Sequence, residues 1–432
     1  MSLPNYPAYT DSGVEWIGKI PTGWCVSPIK RQAQLKNNRA TVRKFPVALE
    51  NIESKTGKFI FSDTKFEGDG VFFQKNDILF GKLRPYLAKI WLADKEGEAV
   101  GDFYVIRPTL SSPDFLRWVL FSDEVISQID SSTFGAKMPR ASWPFIRKLL
   151  IPVPSYLEQK AIASFLDREC DKIDALLAEQ ERLIALLAEK RQAVISHAVT
   201  KGLNSGILMK DSGIPWIGMV PEGWEVVPAS YRYEVQLGRM LNEERTSGDH
   251  MRPYLRVLDV QWSEINISDL PMMDFPPEAQ ARYRLKVGDL LVNEGGSYVG
   301  RSAIWRGELD ECYYQKALHR LRPHNPERDT GEFFYYVMEI ATRRNVFVAG
   351  ANQTTIDHLT AEQLRAHRFA FPPLEQQLEI VDHLKKHLSH IDSLVDSTSV
   401  AIALLKERRV SLISSAVTGK IDVRSQSKVI AA

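Results

Sequence analysis

Asp11-Ser-Gly-Val-Glu-Trp-Ile-Gly-Lys-Ile-Pro-Thr-Gly-Trp-Cys-Val-Ser-Pro28 recurs 200 positions later as Asp211-Ser-Gly-Ile-Pro-Trp-Ile-Gly-Met-Val-Pro-Glu-Gly-Trp-Glu-Val-Val-Pro228. Eleven of the 18 positions are identical, both tryptophans of each copy among them. A second match follows at an offset of 218. Ile184-Ala-Leu-Leu-Ala-Glu-Lys-Arg191 returns as Ile402-Ala-Leu-Leu-Lys-Glu-Arg-Arg409, and Ala198-Val-Thr200 as Ala416-Val-Thr418. Over Ile184 to Thr200, 11 of 17 positions are identical. Two ordered matches with a drifting offset mean one design used twice, with shared ends and divergent middles of unequal length.

The second match lies on the clearest periodic stretch. Ile162, Leu166, Ile173, Leu176, Leu183, Leu187 and Val194 recur in alternating steps of three and four. Adding 218 gives Ile380, Leu384, Ile391, Leu394, Ala401, Leu405 and Leu412. Each set is a heptad seam of about five heptads, on a helix roughly 65 Å long at ~1.5 Å per residue. An apolar seam of that length needs a partner, and the other long helix is the nearest. Packing of each helix on its own globular segment is the competing reading.

The middles read as mixed α/β. Val71–Phe80 and Leu285–Val292 suggest strand–turn–strand units with Asn-Asp or Gly-Asp at the turn. Asp102–Pro108 and Ala317–Pro323 suggest strands ended by proline, with short helices following at 113–129 and 331–347. Loops at 131–148 and 349–366 then lead to Ile151-Pro-Val-Pro154 and Phe371-Pro-Pro373 at the head of each long helix. The division is 1–155, globular; 156–203, helical; 204–372, globular; 373–432, helical.

A chain of 432 residues with 44% hydrophobic and 25% charged residues has the make-up of two to four globular domains. No continuous apolar run approaches the ~18 residues of a membrane span, and no secretory leader pattern opens the sequence, so no membrane partner is expected and the location expected is cytoplasmic. Cys25, Cys170 and Cys312 lie too far apart for a disulfide framework or a zinc-ligand spacing. The formal net charge of +1 hides an asymmetry. Residues 1–155 carry 21 Lys+Arg against 16 Asp+Glu, a net of +5, whereas 204–372 carry 19 against 23, a net of −4. Nucleic-acid contact by the second segment would have to come from a local patch.

No catalytic or metal signature stands out. Gly295-Gly-Ser-Tyr-Val-Gly300 lacks the Lys-Ser/Thr of a phosphate-binding loop and reads as a tight turn approaching a ligand or backbone. His383, His387 and His390 share one helix, but His387 falls on the seam, which favours packing or solvation over a metal. The middles instead place basic and polar residues beside turn-forming glycines. In the first copy these are Lys36, Arg39, Arg43, Lys44, Lys82, Arg84, Lys137 and Arg140. In the second they are Arg239, Arg245, Asn293, Ser297, Tyr298, Arg301, Asn352, Gln353, Thr354 and Thr355. Arg and Lys suit phosphates and guanine edges, and Asn and Gln can pair with adenine.

The arrangement resembles the specificity (S) subunits of type I DNA restriction-modification systems. The resemblance is carried by the openings at 11–24 and 211–224, by Pro154…Glu158-Gln159 and Pro373-Leu-Glu-Gln376, and by the paired Ala-Val-Thr helix endings. Tyr254-Leu-Arg-Val-Leu-Asp-Val260 and Val299-Gly-Arg-Ser-Ala303 also look like family core segments. It implies a non-catalytic subunit with two target-recognition domains, each reading half of a bipartite, asymmetric site on double-stranded DNA. It further implies an antiparallel coiled coil of the two long helices, which docks two methyltransferase (M) subunits; restriction (R) subunits complete the complex. S-adenosylmethionine, ATP and Mg2+ would be used on those other subunits, with no cofactor bound by this chain. The −4 charge of the second segment implies that high DNA affinity depends on basic surface from the M subunits. The alternatives are a coiled-coil scaffold joining two protein-binding domains, or a nuclease with a dispersed active site.

Overall fold

The computed structural model describes residues 4–40, 45–62, 70–133, 135, 138–296, 299–347 and 358–425. Two helices dominate it: a first long helix, Tyr156–Lys201, and a second, Leu374–Val417. The chain divides into two compact units. One holds residues 1–182 and 398–432, the other 183–397, so each takes one half of each long helix.

Both units are built on one sheet order. In the first unit a four-stranded antiparallel sheet runs Ala33–Lys36, Phe103–Pro108, Ile78–Gly81, Ile90–Leu92. In the second it runs Tyr233–Leu237, Leu318–Pro323, Leu290–Asn293, Ser302–Ile304. The helices Pro113–Phe121 and Gly331–Arg343 pack their apolar residues into the cores beneath. The helix expected at 113–129 is broken: Ser122 takes an extended backbone, and a second helix runs Asp123–Ser131.

The expected strand–turn–strand units are also corrected. Gly70–Phe73 pairs with Gly97–Val100 in a separate three-stranded sheet, while Ile78–Gly81 belongs to the main one. Where the strand–turn–strand unit Leu285–Val292 is expected, the one strand is Leu290–Asn293. The turn residues matter for another reason. Asn76 and Gly288 have φ of 72° and 91°, and the next residue is a buried aspartate. Asp77 takes Arg107 in a two-point ion pair with both contacts at 2.7 Å, and Asp289 takes Arg322 at 2.7 and 2.6 Å. These pairs fasten one end of each sheet. They also explain why an arginine precedes each strand-ending proline.

The duplicated openings have a structural task. Asp11 and Asp211 each accept the backbone N–H of the glycine two residues on, at 2.9 and 3.0 Å, shaping a turn that closes a short hairpin. The second tryptophan of each opening then meets the glycine just past a long helix. Trp24 faces Gly419 after the second helix, in the first unit, and Trp224 faces Gly202 after the first helix, in the second unit.

Each unit holds one ion pair between its two helix halves. In the first unit Arg409 Nε lies 2.9 Å from Asp174; in the second Arg191 Nη1 lies 3.2 Å from Asp392. An offset of 218 carries Asp174 to Asp392 and Arg191 to Arg409, so each pair joins one member from each copy. The residue numbers sum to 583 in both. Around the first pair Leu177 and Glu181 share a cavity with Lys406, so position rises on one helix as it falls on the other and the pairing is antiparallel. Seam residues that also meet a globular core are buried, including Ile162, Leu166, Leu187, Ile380 and Leu384. Leu176, Leu183 and Leu394 remain 40–44% exposed. His387, expected on the seam, is exposed, and Leu388 takes the buried place.

By length and composition the second long helix also qualifies as a membrane span, with a stretch of mean hydropathy 1.2 although its apolar residues are not continuous. Its ion pair with Arg191 is that of a helix packed on another helix.

Candidate nucleic-acid interface

The end of each main sheet opposite the Asp–Arg pair carries the basic residues singled out in the sequence. In the first unit Lys36 closes its strand opposite Val105, Gly81 pairs with Phe103, and Lys82 and Arg84 follow immediately. Residues 139–141 come alongside: Leu83 bridges Arg140, Ala141 N donates to Lys82 O at 2.8 Å, and Arg84 N to Pro139 O at 2.9 Å. Lys36, Lys82, Arg84 and Arg140 are thereby gathered at one sheet end, although they span more than 100 residues of sequence. Asp102 holds the Arg140 guanidinium at 3.0 Å. The Lys82 ammonium lies 4.9 Å from the Tyr104 ring centroid, and burial pushes its pKa down. Arg39, exposed, follows the strand and bridges Val71.

The second unit repeats the construction. Gly295 bridges His358, and Leu359 N donates to Glu294 O at 2.7 Å. An offset of 218 carries Arg140 to His358 and Ala141 to Leu359. The strand beneath supplies the same support in both: Tyr104 donates its hydroxyl to Ala141 O at 3.0 Å, and His319 Nε2 lies 2.7 Å from Leu359 O. His319 is fully buried, which lowers its pKa and keeps it neutral as the donor to that carbonyl.

Of the candidates in this unit, Arg239 follows the sheet at the position of Arg39, 200 residues on. Its guanidinium lies 5.3 Å from the Phe275 ring, half-buried, with its pKa lowered by that burial and by Arg245. Arg301 donates to Gln261 beside the same strand end. Asn293 is fully buried and gives its amide to the Val257 and Val260 carbonyls, both at 3.2 Å. That side chain is committed to the fold, so Asn293 is corrected from a surface candidate to a structural residue. A Cβ on Gly295 would meet the His358 ring at 2.6 Å and one on Gly300 the Thr342 side chain at 2.3 Å, so both glycines lie against side chains, not against a ligand or backbone. Arg43, Lys44, Lys137, Ser297, Tyr298, Asn352, Gln353, Thr354 and Thr355 lie outside the described residues.

Sequence reasoning passed over His358, Lys316, Tyr104 and His319. Lys316 is exposed at this sheet end, its N–H bonded to Arg239 O at 2.7 Å. The signal for His358 was present: the helix offset of 218, applied to Arg140, lands on it.

Residues 221–397 match the family described as the type I restriction modification DNA specificity domain. That match covers less than half of the chain, and over most of its length the chain is similar to type I restriction specificity subunits. The StySPI specificity subunit of Salmonella potsdam is 23% identical, over 94% of this chain and 90% of its own. The EcoBI specificity subunit of Escherichia coli is 21% identical, over 87% and 85%. Among solved structures, a chain from a study of complex assembly and conformational transition of the type I R-M system superposes with a TM-score of 0.74, at 18% identity over 93% of this chain and 99% of its own. The HsdS subunit from Thermoanaerobacter tengcongensis gives 0.61, at 18% over 95% and 100%. These likenesses show a shared fold.

Proposed function

We propose that this chain is a type I specificity subunit that reads a bipartite, asymmetric site on double-stranded DNA, each unit's sheet end contacting one half. Two methyltransferase subunits would dock on the long helices, with restriction subunits in the full complex. S-adenosylmethionine, ATP and Mg2+ would reside on those other subunits. The reading rests on one observation: the same two-loop clamp recurs at the same sheet end with different side chains on it. Lys82, Leu83, Arg84 and Arg140 occupy it in the first unit; Glu294, Gly295, Gly296 and His358 occupy it in the second. A constant frame with exchanged donors and acceptors is what reading two different half-sites requires.

Docking is supported by exposed leucines. The first unit exposes Leu176 (44%) and Leu404 (59%), and the second exposes Leu394 (40%) and Leu186 (50%). These are the same two repeat positions, one on each helix, and in both units the numbers sum to 580. Leu176 and Leu394 lie on the seam yet stay open to solvent, and Leu186 and Leu404 are more exposed still. Two copies of one partner would use them.

Co-expressed with its methyltransferase subunit, the chain should direct methylation to a single bipartite sequence; equal methylation of random DNA would overturn the reading. Leu404→Asp should lower the number of bound methyltransferase subunits from two to one, and L186D/L404D to none. Both variants should unfold within about 0.5 kcal/mol of the parent, as expected of exposed positions. Size-exclusion chromatography with light scattering measures the stoichiometry.

A further inference from the structure

We infer that His358 is a base-reading residue of the second recognition unit, the counterpart of Arg140 in the first. The inference rests on the assignment of the sheet ends to DNA. His358 is exposed, yet its backbone is held by a bridge and by the residue that follows it. It bridges Gly295, and the next residue is fixed twice: Leu359 N donates to Glu294 O, and Leu359 O takes the buried His319 ring. Immediately beyond, Thr360 caps the helix Ala361–Ala366, its hydroxyl accepting from Gln363 N at 3.2 Å while Gln363 Oε1 accepts from Thr360 N at 2.9 Å. The imidazole itself lies against Gly295, where a side chain would collide with Nδ1. A rigid frame holding one polar ring at an exposed edge is what a specific base contact needs, because a loosely held donor gives little discrimination.

Arg140 stands at the same place in the first unit, aimed by its Asp102 partner. The two units therefore present different donors from one position of one frame. A guanidinium forks across guanine O6 and N7; an imidazole N–H makes a single bond to a purine N7 or a carbonyl oxygen of a base edge. Nearby Lys316, exposed on a flexible stem, suits a phosphate, which fixes register without reading sequence.

The test uses the complex of this chain with its methyltransferase subunit and a library of sites randomised in both halves, read by sequencing of methylated products. His358→Ala should lower discrimination at one base pair of one half-site about ten-fold, leaving the other half unchanged. Arg140→Ala should do the same in the opposite half. Unchanged base preferences in H358A beside an altered half-site in R140A would overturn the assignment of His358 alone. A uniform loss of methylation over all sequences would also overturn it, by making His358 a phosphate contact. If neither variant alters any preference, the sheet ends themselves are not the reading surface.

Discussion

Gln377 is fully buried, and its whole amide is bonded to the fold. Its Oε1 accepts from Thr330 N, the cap of helix Gly331–Arg343, and its Nε2 serves the carbonyls of Arg328 and Pro372 and the Asp329 carboxylate. Gln159 does the same in the other unit with Ser112 N and Pro154 O. One side chain in each unit thus joins the head of a long helix, its proline lead-in and the start of the buried helix. The sequence shows the proline-to-Glu-Gln motif but aligns Gln159 with Gln376. The structure pairs it with Gln377, and Gln376 instead accepts from Trp224 Nε1 at 2.9 Å. The offset of 218 that relates the two long helices does carry Gln159 to Gln377, whereas the motif read by its proline spacing slips by one residue. Gln377→Ala should destabilise the second unit by about 3 kcal/mol, because it strands buried backbone donors and acceptors at ~1–3 kcal/mol each. Gln159→Ala, which breaks fewer bonds, should cost the first unit about 2 kcal/mol on the same scale. Chemical denaturation of the two variants measures the difference.

At the level of elements, the long helices were the most legible feature, since a three-four repeat specifies a helix and its buried face together. Their depth of burial was not legible. Leu176 and Ile173 belong to one seam, yet Ile173 is closed off from solvent while Leu176 is 44% exposed. The crossed ion pairs were equally hidden, because period says nothing about which partner residue stands opposite. Their energies should differ despite identical residue types. The side chains of Arg409 and Asp174 are 11% and 7% exposed, and Lys58 also reaches Asp174, at 3.4 Å. Asp174→Ala should leave the Arg409 charge uncompensated and cost about 3 kcal/mol. Asp392 is 62% exposed, and Arg191 also lies 3.9 Å from Glu339, so Asp392→Ala should cost under about 1 kcal/mol. Hydrogen exchange within 398–417 for the first variant and within 374–397 for the second reads the two losses separately. Equal losses would mean that burial of the ion pair is not what sets its strength.

At the scale of the whole molecule, the sequence's shared ends and divergent middles correspond to a definite point of attachment. Cys25–Pro28 pairs antiparallel with Leu150–Val153, with Pro28 opposite Leu150; Glu225–Pro228 pairs with Arg368–Phe371, with Pro228 opposite Arg368. Each divergent middle therefore leaves and rejoins the frame through adjacent strands of a short ladder. Ile29 N donates to Leu149 O and Ala229 N to His367 O, both just inside that neck. A segment whose ends are held side by side can be exchanged without altering the separation that the frame must span, so the closure entropy of the rest of the chain is unchanged. Replacing 29–150 with the corresponding segment of another specificity subunit should then change one half of the methylated sequence, with the other half and the spacing between them retained. Replacing 229–367 should change the opposite half. Methylation mapping of both chimaeras decides the matter. A chimaera that altered both halves together would mean that each recognition unit does not read by itself. One that shifted the spacing would mean that the ladder, and not the long helices, sets the distance between the half-sites.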